Sequence, residues 1–248
     1  MATSAASPPS TRNRLLATLP PPVLEAIRPG LEPVEIGLRE VLQPAGSAVR
    51  HVFFLESGWA SMLAYMEDGD AAEVGLVGRE GMVGLPVLLD AESDDIEAIV
   101  QCPGMALRME ARRFTEALDA HPAFRSLLLR YALVHHSQVA RTAACNGRHG
   151  IEQRLARWLL MGHDRADGDS YPMTHEFLSM MLGVRRAGVT VAAGLLQRAG
   201  FIRYGAGRME ITDRPGLEST ACECYGIVRR LSEAHFGLAP GTKAPYRP

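Results

Sequence analysis

Glycine, proline and aspartate cut residues 31–109 into short pieces, and that punctuation limits what this part of the chain can become. The runs between the cuts, "EPVEI", "HVFFL", "WASMLAY", "AEVGLV" and "IEAIVQC", alternate or are rich in β-branched and aromatic residues. The breaks are "PAGS", "ESG", "EDGD", "GREG" and "CPG". Pieces this short cannot hold ordinary helices. Many short strands at close spacing predict an antiparallel sandwich or barrel. "MEDGD" between two such runs reads as a hairpin turn.

The texture then changes. Residues 14–28 predict one or two short helices broken by Pro20–Pro22. From Pro122, which suits a first helical turn, to Ala144 no glycine or proline interrupts "FRSLLLRYALVHHSQVARTAA". Leu128, Ala132, His135, Val139 and Thr142 follow a 4-3-4-3 spacing along it. That spacing fits either a coiled-coil seam or a face laid on the sheets, and the pattern alone does not separate them. "CNGRHG" breaks the periodicity and marks a domain boundary. Beyond it, "IEQRLARWLLMGH" predicts an amphipathic helix with Ile151, Leu155, Trp158 and Leu159 on one face and Arg154 and Arg157 on the other. "DRADGDSYP" reads as a polar loop.

Charge is unevenly spread. The 248 residues carry a net charge of −2. Residues 1–146 hold 12 Arg against 18 acidic residues, whereas residues 147–214 hold 10 Arg against 7. A basic back half behind an acidic front is a charge asymmetry, and random scatter is the alternative that three charges do not exclude. No apolar run approaches the about 20 residues of a membrane span, and the Ser/Pro/Ala-rich start reads as a disordered leader rather than a secretory signal. Four cysteines, Cys102, Cys145, Cys222 and Cys224, do not make a disulfide framework, which fits a reducing cytoplasm.

The segment "HEFLSMMLGVRRAGVTVAAGLLQRAGFIRYGAGRMEI" is the most informative. Thr174 can cap a helix that starts at His175 and ends near Leu182–Gly183, where glycine permits a sharp turn. A second helix is expected from Arg186 to Ala199, with Val189, Ala192 or Ala193, Leu196 and Ala199 toward the core. Its other face carries Arg186, Ala187, Thr190, Gly194 and Gln197. Two short helices with the second presenting its N-terminal side chains make a helix-turn-helix. Arginine can grip a guanine edge or a phosphate bidentately. "FIRYGAGRMEI" then predicts a strand–turn–strand wing. Arg186, Arg185, Thr190 and Ala187 are the base-contact candidates; Arg203, Arg208 and Thr174 are the phosphate candidates.

With "VGREGMVGLPVLL" (77–89) ahead of that segment, the chain resembles the Crp/Fnr family of bacterial transcription regulators over roughly residues 15–217. The resemblance implies an α+β fold: an N-terminal antiparallel β-barrel of the jelly-roll, cyclic-nucleotide-binding type, a long dimerisation helix and a C-terminal winged helix-turn-helix. The implied division is a leader (1–14), an effector-sensing barrel (15–120), a dimerisation helix and hinge (121–146), a DNA-binding domain (147–217) and a C-terminal helix and tail (218–248). It implies a homodimer on double-stranded DNA, RNA polymerase as a partner, and a small-molecule effector held near Gly84, Leu85, Pro86 and Asp95. Two departures bear on that effector. Cyclic-AMP-binding members follow the strand with a Gly-Glu pair for the ribose and, further on, an arginine for the phosphate. Here Leu85 and Pro86 follow Gly84, and Asp94 and Asp95 stand in the later stretch, where carboxylates repel a phosphodiester. Cyclic AMP is therefore not expected. An iron–sulfur cluster is not expected either, because no cysteine precedes Cys102. In the reader helix Ala187 and Val191 replace a glutamate and a second arginine of the best-known members, so a different operator is expected.

Other chemistry is thinner. Cys222 and Cys224 are alternate residues that, on one helix, would not share a face, and no metal site is expected. His135 and His136 could titrate near neutrality. "EDGD" and "ESDD" lack the bidentate glutamate of a calcium loop. No hydrolase or phosphate-loop signature is present, and Gly75, Gly78, Gly81 and Gly84 read as turn and packing glycines. The competing reading is a sensor whose winged helix binds a protein instead of DNA.

Overall fold

The computed structural model describes residues 11–236. The first ten residues of the expected leader and the tail "APGTKAPYRP" lie outside the described residues. Helix α1 (Pro21–Ile27) opens the fold. The strands β1 (Glu32–Ile36), β2 (Val41–Gln43), β3 (His51–Leu55), β4 (Trp59–Tyr65), β5 (Ala71–Val77) and β6 (Met82–Val83) follow. After the one-turn helix α2 (Leu85–Leu88) come β7 (Ile96–Cys102) and β8 (Gly104–Glu110). They form two four-stranded antiparallel sheets, ordered β1-β8-β3-β6 and β2-β7-β4-β5. This is the predicted double-sheet, jelly-roll architecture.

Strand β3 explains why its sequence is almost wholly apolar. Phe53 and Leu55 point between the two sheets, with Ile36, Met62, Val77 and Val100. Val52 and Phe54 point the other way, into a layer with Phe114, Phe124, Leu128 and Tyr131. A strand covered on both faces loses the apolar/polar alternation. The second sheet is also covered outside, because Trp59, Leu63 and Leu76 belong to the core of the C-terminal domain.

Helices α3 (Ala111–Ala120) and α4 (Pro122–Arg148) complete the sensor. "ARRFTEALDA", left without an element in the sequence reading, is the α3 helix; it lays Phe114 and Leu118, four residues apart, into the core with Ala117 beside them. The long helix starts where Pro122 predicts and runs past Ala144, the end of the uninterrupted stretch, through Cys145–Arg148; the break comes at His149–Gly150, within the "CNGRHG" segment. Gly147 is exposed near that end, where a glycine costs only about 1 kcal/mol relative to alanine. The leader ends earlier than expected: Asn13 is fully buried and its amide donates to the carbonyls of Leu55 and Gly81.

The C-terminal half contains α5 (Ile151–His163), β9 (Ser170–Pro172), α6 (His175–Leu182), α7 (Arg186–Arg198), the hairpin β10 (Ile202–Gly205) and β11 (Arg208–Ile211), α8 (Arg214–Thr220) and α9 (Cys224–Phe236). Helix α5 departs from its predicted two faces. Every residue from Leu155 to His163 is buried, Arg157 included, because α5 is the centre of this half. No helix among the described residues is long and apolar enough to cross a membrane.

Candidate nucleic-acid interface

The reader is built around the buried side of α7. Val189, Ala192, Ala193 and Leu196 pack with Leu178, Met181 and Leu182 of α6 and with α5. Ala199, expected in the core, is exposed at the C-cap. Thr174 caps α6 by accepting from the amide of Phe177 at 3.1 Å. Gly183 ends α6 in the left-handed region, φ +58, which an L-residue enters at a cost of roughly 1–2 kcal/mol. Arg154 of α5 donates to the carbonyl of Leu182, satisfying one of the acceptors a helix end leaves open.

This geometry leaves Arg185, Arg186, Ala187 and Thr190 exposed on one surface at the start of α7. Arg185 has extended backbone and occupies the N-cap position without a side-chain cap bond. Among the described residues neither arginine makes an ion pair. Thr190 is more occupied: its hydroxyl lies 3.1 Å from His175 Nδ1 and donates to the Arg186 carbonyl. Val191, 63 % exposed, and Leu195 extend the same surface with apolar groups.

The wing forms as predicted, with Ala206 and Gly207 both at positive φ in its two-residue turn. Its third strand, β9, falls in the stretch read as a loop and pairs with β11. The two wing arginines differ. Arg203 is exposed and paired with Glu210 at 2.8 Å, a surface pair of at most about 1 kcal/mol that a phosphate can displace. Arg208 donates to the hydroxyl and carbonyl oxygens of Ser170, which aims it along the sheet. His175 is the residue the sequence reading missed. Its ring stacks on Tyr204 at 4.2 Å and 15° while touching Thr190, so it joins α6, α7 and the wing. Burial and then the neighbouring Arg186 lower its pKa, which keeps it neutral at pH 7. Nothing in a single sequence distinguishes such a histidine from a solvated one.

In the N-terminal half, a cavity of about 380 Å³ opens between the β2-β7-β4-β5 sheet, α2 and α4. Leu85, Pro86, Met62, Val74, Ile96 and Val139 supply apolar walls; Gln43, Ser93, Asp94, His135 and His136 supply polar groups. Asp94 accepts from Gln43 at 2.7 Å, and burial raises its pKa. Of the effector-pocket candidates, Leu85 and Pro86 line this space; Gly84 lies at the N-cap of α2 and Asp95 is exposed.

The helix seam named from spacing is turned inward. Leu128 is buried among the sensor's aromatic residues, and Thr142 is buried under Arg157, whose guanidinium donates to it at 2.9 Å. Ala132, His135 and Val139 line the cavity. Burial pushes His135 down to about 4, so it does not titrate near neutrality as expected. The outward stripe is one residue along: Leu129, Leu133, His136 and Ala140, at the same 4-3-4 spacing, are exposed. Residues 222 and 224 do not share one helix: Cys222 precedes α9, and both thiols meet Cys145.

Two family models match this chain, the cyclic nucleotide-binding domain over residues 34–121 and the Crp-like helix-turn-helix domain over residues 153–220. The fold is similar to that of a CRP-family transcriptional regulator from Thermus thermophilus, at 20% identity and TM-score 0.64, covering 76% of this chain and 96% of that one. It is similar to FixK2 from Bradyrhizobium japonicum, at 15% identity and TM-score 0.66, covering 77% and 98%. It is also similar to the c-di-GMP-responsive global regulator CLP from Xanthomonas campestris, at 14% identity and TM-score 0.62, again covering 77% and 98%. A search of curated proteins found no match. With a cyclic nucleotide-binding domain leading through one long helix to a Crp-like reader, the chain belongs to the Crp/Fnr family of transcriptional regulators, which are not enzymes.

Proposed function

We propose that this regulator works as a homodimer that reads an inverted repeat in double-stranded DNA, with α7 in the major groove and Arg186 as the principal base contact. The observation that carries the reading is the start of α7, where two exposed arginines without carboxylate partners stand beside small residues. Small neighbours let the helix approach the base edges, and an arginine fork can hold O6 and N7 of guanine together. Arg203, Arg208 and Thr174 flank that face as phosphate contacts, which set register. The stripe Leu129, Leu133, His136 and Ala140 supports pairing of α4 with a second copy, since exposed apolar residues at 4-3 spacing suit a coiled-coil seam. Dimerisation would put the two α7 helices into successive major grooves.

The sensor cavity supports an effector other than cyclic AMP. Its walls are mostly apolar, and its carboxylate, Asp94, opposes a phosphodiester. A compact, largely apolar molecule able to donate a hydrogen bond to Asp94 or Gln43 fits it better. RNA polymerase is the further partner this reading expects of a promoter-bound regulator.

Titration of labelled duplexes against Arg186→Ala tests the assignment. The variant should lose roughly 1–3 kcal/mol of discrimination between its preferred duplex and single-base variants, while non-specific affinity changes little. Unaltered discrimination would move the base contact elsewhere on α7.

A further inference from the structure

Three of the four cysteines in the chain, and one histidine, come together at the junction between sensor and reader. Cys145 and His149 lie one turn apart at the end of α4, so the continuation of that helix through Gly147 keeps them on one side. Cys222 and Cys224 arrive from the turn that opens α9, where the amide of Tyr225 bonds back to the Cys222 carbonyl. The sulfurs of Cys145 and Cys222 are 3.5 Å apart, Cys224 Sγ is 3.7 Å from His149 Nδ1, and the ligand atoms of all four residues lie within 4.8 Å of one another. Tetrahedral zinc with Zn–S bonds near 2.3 Å requires donor atoms about 3.7 Å apart. The four groups thus already stand close to the corners of such a tetrahedron.

We propose that Cys145, His149, Cys222 and Cys224 form a closed, four-coordinate zinc site that ties the end of the α4 helix to the start of α9. Free cysteines are often buried as small hydrophobes, but that account does not explain the histidine. Its Nδ1 faces the sulfurs, while Nε2 lies 3.3 Å from the carboxylate of Glu223. A carboxylate on the far nitrogen fixes the tautomer that leaves the other nitrogen free to bind a metal. The surrounding charge fits as well. Three thiolates, a neutral imidazole and Zn²⁺ sum to one negative charge. Arg157 is 4 % exposed, makes no ion pair among the described residues, and leaves its Nε without a partner. Arg157 reaches Thr142, one turn before Cys145 on α4, so an anionic metal–thiolate centre there adds to the buried Glu73 as a counter-charge for it. The all-protein donor set of three sulfurs and one nitrogen favours zinc over magnesium or calcium and leaves no open position for catalysis. The role is structural: a clamp at the hinge.

The test uses the full chain, purified without chelator. Metal analysis should return one zinc per chain, and a mercurial thiol reagent should release it stoichiometrically to a chromogenic chelator. Replacing zinc with Co²⁺ should give thiolate-to-cobalt charge transfer and tetrahedral ligand-field bands. Cys224→Ser should lose the metal. Because that variant can also misfold, Glu223→Ala is measured beside it; it should keep the stoichiometry and weaken Co²⁺ affinity by roughly 10–100-fold. A metal-free protein that gives no tetrahedral cobalt spectrum on titration overturns the proposal. So does a Cys145–Cys222 disulfide in protein prepared under reducing conditions, or bound iron with sulfide in place of zinc.

Discussion

Glu73 carries the least expected chemistry of any single residue in the molecule. It comes from β5, in the sensor, but is buried against the reader: Ser61 donates to it at 2.5 Å and Trp158 of α5 at 2.6 Å. Burial pushes its carboxyl up to about 7, against those two hydrogen bonds. A carboxyl with a raised pKa holds its proton more tightly in the folded chain than in the unfolded one. Its stabilising contribution is therefore complete below the ordinary value near 4.5 and is lost as pH rises through about 7. Denaturation followed across that window should show stability falling by up to about 3 kcal/mol, and Glu73→Gln should flatten the fall. A wild-type profile that rises over the same interval would contradict this assignment. No pattern in the sequence singles out Glu73, because "AEVGLV" reads as an ordinary strand whose glutamate faces water; only the packing of α5 onto that strand removes the water. His175 was hidden for the same reason. Arg186 was visible, because its exposure follows from helix periodicity alone.

At the scale of elements, local chemistry was legible wherever it is self-contained. Thr174, Gly183 and the Ala206–Gly207 turn act on their own neighbours, so α6, α7 and the wing follow from the sequence to within a residue or so. Gly183→Ala should destabilise the reader by about 1 kcal/mol through its positive φ, with nothing within 4 Å to clash; Gly183→Asn should cost less. Thermal melts of the two variants check the order. Elements that depend on partners were missed. Strand β9 exists because β11 offers it an edge; α3 was overlooked rather than hidden, since Phe114, Ala117 and Leu118 fall on one helical face. The α4 helix shows the limit most clearly. Its 4-3 spacing admitted either a coiled-coil seam or a face laid on the sheets; two such stripes lie one residue apart, and in the fold the stripe from Leu128 to Thr142 packs inward while Leu129 and Leu133 stay exposed. Leu133→Asp should shift the protein toward monomer in sedimentation analysis while leaving the monomer folded, because Leu133 is 51 % exposed. Leu128→Asp should instead unfold the sensor.

At the scale of the whole molecule, sensor and reader are not loosely tethered. Trp59 of β4 meets Tyr171 of β9 edge-on at 5.4 Å, and Trp59, Leu63 and Leu76 share one core with α5, α6 and α7. The cavity of about 380 Å³ borders α4 directly through Ala132, His135 and Val139, and α4 ends at the cysteine cluster. The cavity wall and the reader are therefore joined by one continuous helix and a shared core. Net charge hides the binding face, since an acidic sensor offsets a basic reader. DNA affinity should nevertheless fall steeply with salt, log K decreasing linearly with log salt by about 0.9 for each phosphate contacted. Arg203→Ala should reduce that slope by about one without altering sequence preference; a change of preference in that variant would give the wing a reading role.

Selection of binding sites from a randomised duplex pool, with the dialysed protein and again with cell extract present, tests the central claim most directly. The account predicts enrichment of an inverted repeat whose half-sites are one helical turn apart, about 34–36 Å, in at least one of the two conditions, with Arg186→Ala losing preference at one position in each half-site. Enrichment of no sequence in either condition, while the protein captures a protein partner through α7, would contradict it.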